Sequence, residues 1–530
     1  MVQSIPVNQL PIAKRVALLS QLRAAVKRDP KNAQLHLDIA GLMIGEKNVE
    51  GAIPHYKRAL ALQKRNPDIL RKLVGAHFDL QQNKEARKYA RKLCQLEPRV
   101  AKNHKDLGLV LEYSGNPNGA IEAYERANRL EPGDAETLHD IGRCYGLNGK
   151  FDEARRNYEA ALAADPGFAI AYYSLSTLKK FTQETAKPFV EQIISAIPTT
   201  KEPSVLANLH YAAGKALQDA GAHDDAFPWF QKANDVRAPT NPPSISIPFQ
   251  NSKDAFNADY FSARGKVGLD TDQPIFVFGM PRSGTTLIES LCGSHSQITA
   301  GDEQVFMGRI AKRLGRDSDI PGVFPETIHG LGSRDIRKLA EEYLELCKPI
   351  SGTTPHFTEK LPHNFMHLGL IAIMFPNAKL IHCRRHPLDN CFSLFSNSMQ
   401  PAHNRYKTDL TRLGLYYRQY LELMDHWRKH LPMQMHEVYY EDVVANTELN
   451  AHRLIDYLGL DWEDGVMDRT NSQKSVRTLS VWQVRQPIYS TSLGKWHPFK
   501  KHLAPLIDTL GGCVQVYEEE LKRLESSEKS

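Results

Sequence analysis

The sequence predicts two architectures in one chain: an all-α helical-repeat solenoid in the first half, then an α/β domain with a mainly parallel sheet. Three observations predict it. A 34-residue period runs through the first half; the apolar run 275–278 feeds a glycine-bounded turn and then a helical pattern; and further strand-like runs at 378–383 and 434–440 alternate with helical patterns.

The period is clearest at Pro98, Pro132 and Pro166, each closing a similar phrase: CQLEP, NRLEP, LAADP. Between the first two prolines, Leu107, Gly108 and Leu111 mark one helix and Ala120, Tyr124 and Ala127 the next. The following unit repeats them as Ile141, Gly142, Tyr145, Ala154, Tyr158 and Ala161. Small residues at Gly108, Gly142, Ala120 and Ala154 allow close helix approach, and aromatic residues fill the gaps between pairs. This pattern resembles the tetratricopeptide repeat. Looser units surround Ala52, Tyr56 and Ala59, and begin at Ala86; a final pair is legible at Gly214, Ala226, Phe230 and Ala233. The expected repeat domain is 1–237. Such solenoids present a surface to a peptide or partner protein; the other use is to stabilise or dimerise the chain.

Proline-rich 238–243 breaks any helix, because proline lacks the amide and crowds the preceding turn. A linker is expected over 238–272, and the second domain over 273–530. Composition places both domains in the globular class, with 41% hydrophobic and 24% charged residues. The net charge of +6 across 530 residues is a mild excess, which suits a pocket for an anionic ligand better than general nucleic-acid binding. The seven cysteines are scattered, with no CxxC pair, so reduced thiols in the cytoplasm are expected, without disulfides or metal. No apolar run approaches the ~20 residues of a membrane span, so no membrane anchor is expected.

The chemistry concentrates at Gly279-Met280-Pro281-Arg282-Ser283-Gly284-Thr285-Thr286. A buried strand, glycine-bounded loop and helix start together aim backbone amides at an anion. Compared with the triphosphate-binding loop GxxxxGK[ST], the glycines at 279 and 284 fit, but Thr285 stands where the lysine belongs. Kinase or NTPase chemistry loses its terminal-phosphate grip, and Arg282 offers instead a fork for phosphate or sulfate.

With this loop, residues 273–505 resemble the PAPS-dependent sulfotransferases, most closely the tyrosylprotein sulfotransferases and their bacterial relatives. The resemblance implies a P-loop-like fold in which Pro281, Arg282, Ser283, Gly284, Thr285 and Thr286 wrap the 5′-phosphosulfate of 3′-phosphoadenosine 5′-phosphosulfate (PAPS). It implies that Arg385 and Ser393, in RHPLDNCFS, hold the 3′-phosphate, with Lys495 nearby. Glu303 lies 21 residues after Arg282 and by the same resemblance takes the acceptor hydroxyl's proton, with Asp302 as its rival. Lys360 and Ser480 would act with Arg282 on the charge of the departing phosphate. Tyr440, Gln483 and Val484 would line the nucleotide, with Tyr439 the alternative to Tyr440, and His363 is a second candidate base. No metal is implied. The implied activity is transfer of a sulfuryl group to an acceptor hydroxyl: a tyrosine of a protein or peptide recruited by the repeats, or else a carbohydrate, lipid or small phenol.

Overall fold

The computed structural model describes residues 12–315, 324–399, 404–468 and 492–527, and the chain divides into two compact units, Met1–Ala171 and Tyr172–Ser530.

The first unit holds α1 (Ile12–Arg28) and four helix pairs: α2 (Ala33–Gly45) with α3 (Val49–Leu62), α4 (Pro67–Asp79) with α5 (Asn83–Leu96), α6 (Ala101–Tyr113) with α7 (Pro117–Leu130), and α8 (Ala135–Leu147) with α9 (Phe151–Ala164). Helices of 13 and 14 residues alternate, and short links complete the 34-residue period. The close approach is visible at Gly108, where a Cβ would lie 2.7 Å from the Tyr124 ring, and at Gly142, 2.8 Å from Tyr158. Each turn within a pair needs one residue at positive φ. Gly115 and Gly149 fill that position in the regular units, and Lys47 and Gln81 in the looser ones, with φ of 61° and 58°. That substitution is why the early units are harder to read.

The second unit begins within α10 (Ala169–Leu178) and continues through α11 (Gln183–Ala196), α12 (Pro203–Asp219) and α13 (His223–Arg237). In the α12–α13 pair a Cβ on Gly214 would meet the Phe230 ring at 2.6 Å, the same device as in the repeats before it. Residues 238–272 contain two short helices, α14 (Ser246–Ala255) and α15 (Ala258–Arg264). The α/β portion follows: β1 (Pro274–Gly279), α16 (Thr285–Cys292), β2 (Ile298–Ala300), α17 (Phe306–Leu314), α18 (Ser333–Ser351), β3 (His356–Glu359), α19 (Leu368–Met374), β4 (Lys379–Arg384), α20 (Pro387–Phe395), α21 (Leu410–His430), β5 (Met435–Tyr439), α22 (Tyr440–Ala445), α23 (Thr447–Leu458), α24 (Ala504–Leu510) and α25 (Cys513–Ser527).

The five strands form one sheet in the order β2-β3-β1-β4-β5, and every neighbouring pair is parallel. Phe276 pairs with Glu359 on one side of β1 and Val277 with Ile381 on the other. Central β1 is buried along its whole length, which explains its continuous apolar run. The chain leaves β1 for strands on one side, then crosses to β4 on the other. The connections therefore diverge at the carboxyl end of β1, the place where open parallel sheets bind their ligands.

The α12–α13 pair packs on this α/β portion. Phe230 meets Phe392 and Phe499, Phe227 stacks on Phe395 and His502, and Asn234 Nδ2 donates to the Phe395 carbonyl at 2.8 Å. Buried Lys407 donates to Tyr211 Oη at 2.7 Å, to Asn234 Oδ1 at 3.3 Å and to the Asn397 carbonyl at 2.9 Å. With no carboxylate among those partners, burial pushes its pKa well below the ordinary lysine range. All seven cysteines are free thiols, and no helix among the described residues is long and apolar enough to cross a membrane.

Candidate active site

Each strand delivers polar groups at its carboxyl end. β1 runs into the loop 280–284, β2 into Asp302 and Glu303, β3 into Lys360, β4 into Arg385, and β5 into Tyr440. Parallel pairing brings these ends to one edge of the sheet, so residues far apart in sequence stand along the same edge.

The loop is held in an unusual backbone shape. Gly279 has φ of 153° and a Cβ there would lie 2.2 Å from the Cys383 carbonyl oxygen; Gly284 has φ of 96° and a Cβ would lie 2.5 Å from the Tyr440 ring. Arg282 itself adopts φ of 72°, a conformation costing a non-glycine residue on the order of 1 kcal/mol. Tertiary contacts hold it there. Arg385 Nη1 donates to the Arg282 carbonyl at 3.1 Å, and Arg282 Nε donates to Ser393 Oγ at 3.1 Å. Asn390 Nδ2 donates to the Pro281 carbonyl at 3.0 Å. The buried Ser283 hydroxyl has no partner among the described residues. Thr285 and Thr286, both buried, open α16.

Arg385 is the most informative group. It is buried, and among the described residues its guanidinium meets the carbonyl oxygens of Arg282 and of Ser492, the latter at 2.6 Å, and the face of Tyr440 at 4.9 Å, while its Nε has no partner there. No carboxylate lies within ion-pair distance of it among the described residues. Because an uncompensated buried cation costs several kcal/mol, this arrangement is suited to receive an anion. Lys495 adds to it. The residue as a whole is exposed, yet protein around its ammonium strips part of its water and the like charges of Lys215, Arg385 and Arg282 lie close, so its pKa falls to about 8. Tyr440 Oη and Ser492 Oγ share a hydrogen bond of 2.7 Å, and Asp389 accepts from the Gly494 amide at 2.7 Å, tying the segment around Lys495 to α20.

A titration follows from these contacts. The charged form of Lys495 attracts an anion, and it is lost as pH rises through about 8. Affinity for a multiply charged anion is therefore expected to fall about tenfold between about pH 7 and about pH 9, because the protonated fraction falls by that factor. Lys495→Arg, which stays charged, is expected to flatten the profile in calorimetric titrations; an unchanged slope would remove Lys495 from the site.

A second cluster lies at the ends of β2 and β3. Lys360 is fully buried and donates to Glu303 Oε1 at 2.8 Å and Asp302 Oδ1 at 3.2 Å. Burial opposes its charge, but Asp302, Glu289 and Glu303 outweigh that and raise its pKa. Asp302 is a structural member: it has φ of 60°, its amide donates to Glu289 at 2.9 Å, and its carbonyl accepts from the Lys360 amide at 3.1 Å. Glu303 keeps 45% of its side chain exposed, so one carboxylate edge faces solvent while the other is pinned. Buried Glu289 also accepts from Thr358 Oγ1 at 2.8 Å, and burial raises its pKa.

The structure thus brings Arg282, Ser393, Arg385, Tyr440 and Lys495 together around the loop, and joins Glu303 to Lys360. Tyr440 faces the loop, whereas Tyr439 turns its hydroxyl to Arg384 and Glu520. His363 lies against Tyr406 and Phe365. Ser480, Gln483 and Val484 lie outside the described residues. Sequence reasoning missed Asp389 and Asn390, although both stand inside the block that carries Arg385. It also missed Glu289, Ser492 and Lys215, whose positions depend on tertiary packing alone.

Residues 274–464, which contain the loop and the parallel sheet, match the model of the sulfotransferase family. Residues 19–68 and 113–178 match tetratricopeptide-repeat models, so the chain joins such repeats to that domain. Among curated relatives, an uncharacterized protein of Aquifex aeolicus is 32% identical over 68% of this chain and 48% of its own length. This chain therefore spans about half of that relative. Protein-tyrosine sulfotransferase 2 of Gallus gallus is 24% identical, covering 45% of this chain and 68% of the relative. Protein-tyrosine sulfotransferase 1 of Danio rerio is 27% identical, covering 42% and 66%.

Proposed function

We propose that the protein transfers a sulfuryl group from PAPS to an acceptor hydroxyl, and that the acceptor is a tyrosine of a protein or peptide. The observation that carries the donor assignment is Arg385, a buried guanidinium with no carboxylate partner among the described residues, set beside a loop whose Ser283 hydroxyl is likewise unpartnered among them. A ligand with anionic groups at both ends of a nucleoside satisfies both. In this reading the loop amides from Pro281 to Thr286, with Arg282 and Ser283, hold the 5′-phosphosulfate. Arg385, Ser393 and Lys495 hold the 3′-phosphate, and Tyr440 lies along the nucleotide.

When bound, the donor supplies an electrophilic sulfuryl group on a phosphate leaving group. Glu303 accepts the acceptor hydroxyl's proton on its exposed carboxylate edge. Lys360 donates to the other edge of that carboxylate and fixes its orientation, and it stands one residue beyond β3, the strand paired with β1. Arg282 stabilises the negative charge that grows on the leaving phosphate. Positioning and fixed charge carry the acceleration. The relatives named protein-tyrosine sulfotransferases favour a phenolic acceptor, and repeats suited to polypeptides favour one presented by a protein or peptide. The seven free thiols fit a cytoplasmic setting.

Calorimetry with 3′-phosphoadenosine 5′-phosphate and with Mg-ATP tests the donor, and labelled PAPS with a panel of tyrosine peptides, glycans and phenols tests the acceptor. We expect binding of the bisphosphate without competition from Mg-ATP, and label on the tyrosine peptides. Preferential Mg-ATP binding would overturn the donor assignment; label confined to glycans or phenols would overturn the acceptor.

A further inference from the structure

Residues 57–92 contain eleven Lys or Arg and three Asp or Glu, so this short stretch has a larger positive balance than the +6 of the whole chain. The excess is not spread evenly over a solvated surface. Within the first unit, α3, the start of α4, and α5 border a groove of about 590 Å³, and Lys57, Lys64, Arg65, Lys88 and Lys92 line it. All five are exposed. Lys88 has a carboxylate neighbour, Glu85 at 3.4 Å. Lys57, Lys64, Arg65 and Lys92 have none within 4.0 Å among the described residues. Half-buried Lys105 on the same unit is by contrast paired, with Asp134 at 2.9 Å and Glu136 at 2.5 Å.

The groove also has an apolar lining. Leu60 and Leu96 are half-buried there, and Leu70 and Tyr89 are buried. A rim of cations over an apolar floor matches an extended polypeptide: alternate side chains point opposite ways, so carboxylates reach the rim while intervening apolar groups settle on the floor. A nucleic-acid backbone uses cations but leaves an apolar recess empty, and a lipid surface calls for a protruding patch rather than a groove.

We propose that this groove is a docking site for an acidic, partly apolar segment of a polypeptide, distinct from the residues that handle the sulfuryl donor. Electrostatic attraction at the rim gives fast, salt-dependent capture, and the floor gives the contact its register. The docking does not depend on which hydroxyl receives the sulfate, so its failure leaves the catalytic reading untouched.

The test uses the full chain and a labelled peptide of alternating glutamate and leucine, followed by fluorescence anisotropy. The peptide is expected to bind with an affinity that falls as salt rises, and its glutamine counterpart to bind at least about tenfold more weakly. Lys57→Glu, Lys64→Glu and Lys92→Glu together are expected to reduce affinity at least about tenfold, without changing affinity for 3′-phosphoadenosine 5′-phosphate. Should that variant fold poorly, the glutamine substitutions at the same exposed positions are expected to give a smaller loss in the same direction. Undiminished peptide affinity in a folded variant would overturn the proposal. So would an oligothymidylate of equal length, or phosphatidylserine vesicles, binding the unsubstituted protein as tightly as the acidic peptide.

Discussion

Glu303→Gln is expected to lower the turnover rate by about 10²- to 10⁴-fold while leaving affinity for 3′-phosphoadenosine 5′-phosphate within about twofold, the size usual for loss of a positioned general base. The amide keeps the shape of the carboxylate and a carbonyl oxygen for Lys360, so the fold has little reason to change. It removes only the capacity to take a proton. A phenol of pKa near 10 needs that capacity at neutral pH. Asp302→Asn makes the discriminating control. Asp302 is tied down by its own amide, its carbonyl and Lys360, so its substitution is expected to lower stability along with activity. If Glu303→Gln retains full turnover and Asp302→Asn loses it without a change in Tm, the base is Asp302.

Removing residues 1–237 is expected to abolish donor binding, whereas a chain beginning at Pro166 is expected to keep it within about twofold. The reason is the α12–α13 pair. It continues the repeat pattern in sequence, yet it packs among residues of the second unit. Its loss strips Phe227 and Phe230 from Phe392, Phe395 and Phe499, and each large aromatic removed from such a core costs about 3–5 kcal/mol. It also leaves buried Lys407 without Tyr211 and Asn234. Together these approach the whole stability of an ordinary domain, about 5–15 kcal/mol. α20, which carries Ser393 and follows Arg385, loses its cover in the same step. Circular dichroism and donor titration of the two shortened chains decide the matter: a folded chain beginning at residue 238 with unchanged donor affinity would refute it.

Both predictions show where local reading ends. Gly108 with Tyr124 and Gly142 with Tyr158 were legible because they recur one period apart and the fit is between neighbouring helices. The turn position at 47, 81, 115 and 149 was harder to read, because only two of its four occupants are the glycine that positive φ favours. In the α/β portion β1 was legible because both its faces are buried, which makes its apolar run continuous. β2 and β3 are three and four residues long, too short for any alternation to rise above chance, and they were not read as strands.

By itself the sequence determined the repeat period, the anion-binding character of Gly279 to Thr286 and the loss of the triphosphate lysine at Thr285, since each depends on residues adjacent in the chain. It also supplied Arg385, Ser393, Glu303 and Lys360 as candidates. Only the tertiary structure decided that Arg385 has no carboxylate partner among the described residues, and that burial together with Lys215 from α12 lowers the pKa of Lys495. It likewise decided that Lys360 grips Glu303. Burial and charge balance are properties of a neighbourhood, and parallel pairing assembles that neighbourhood from strands spread between Pro274 and Tyr439.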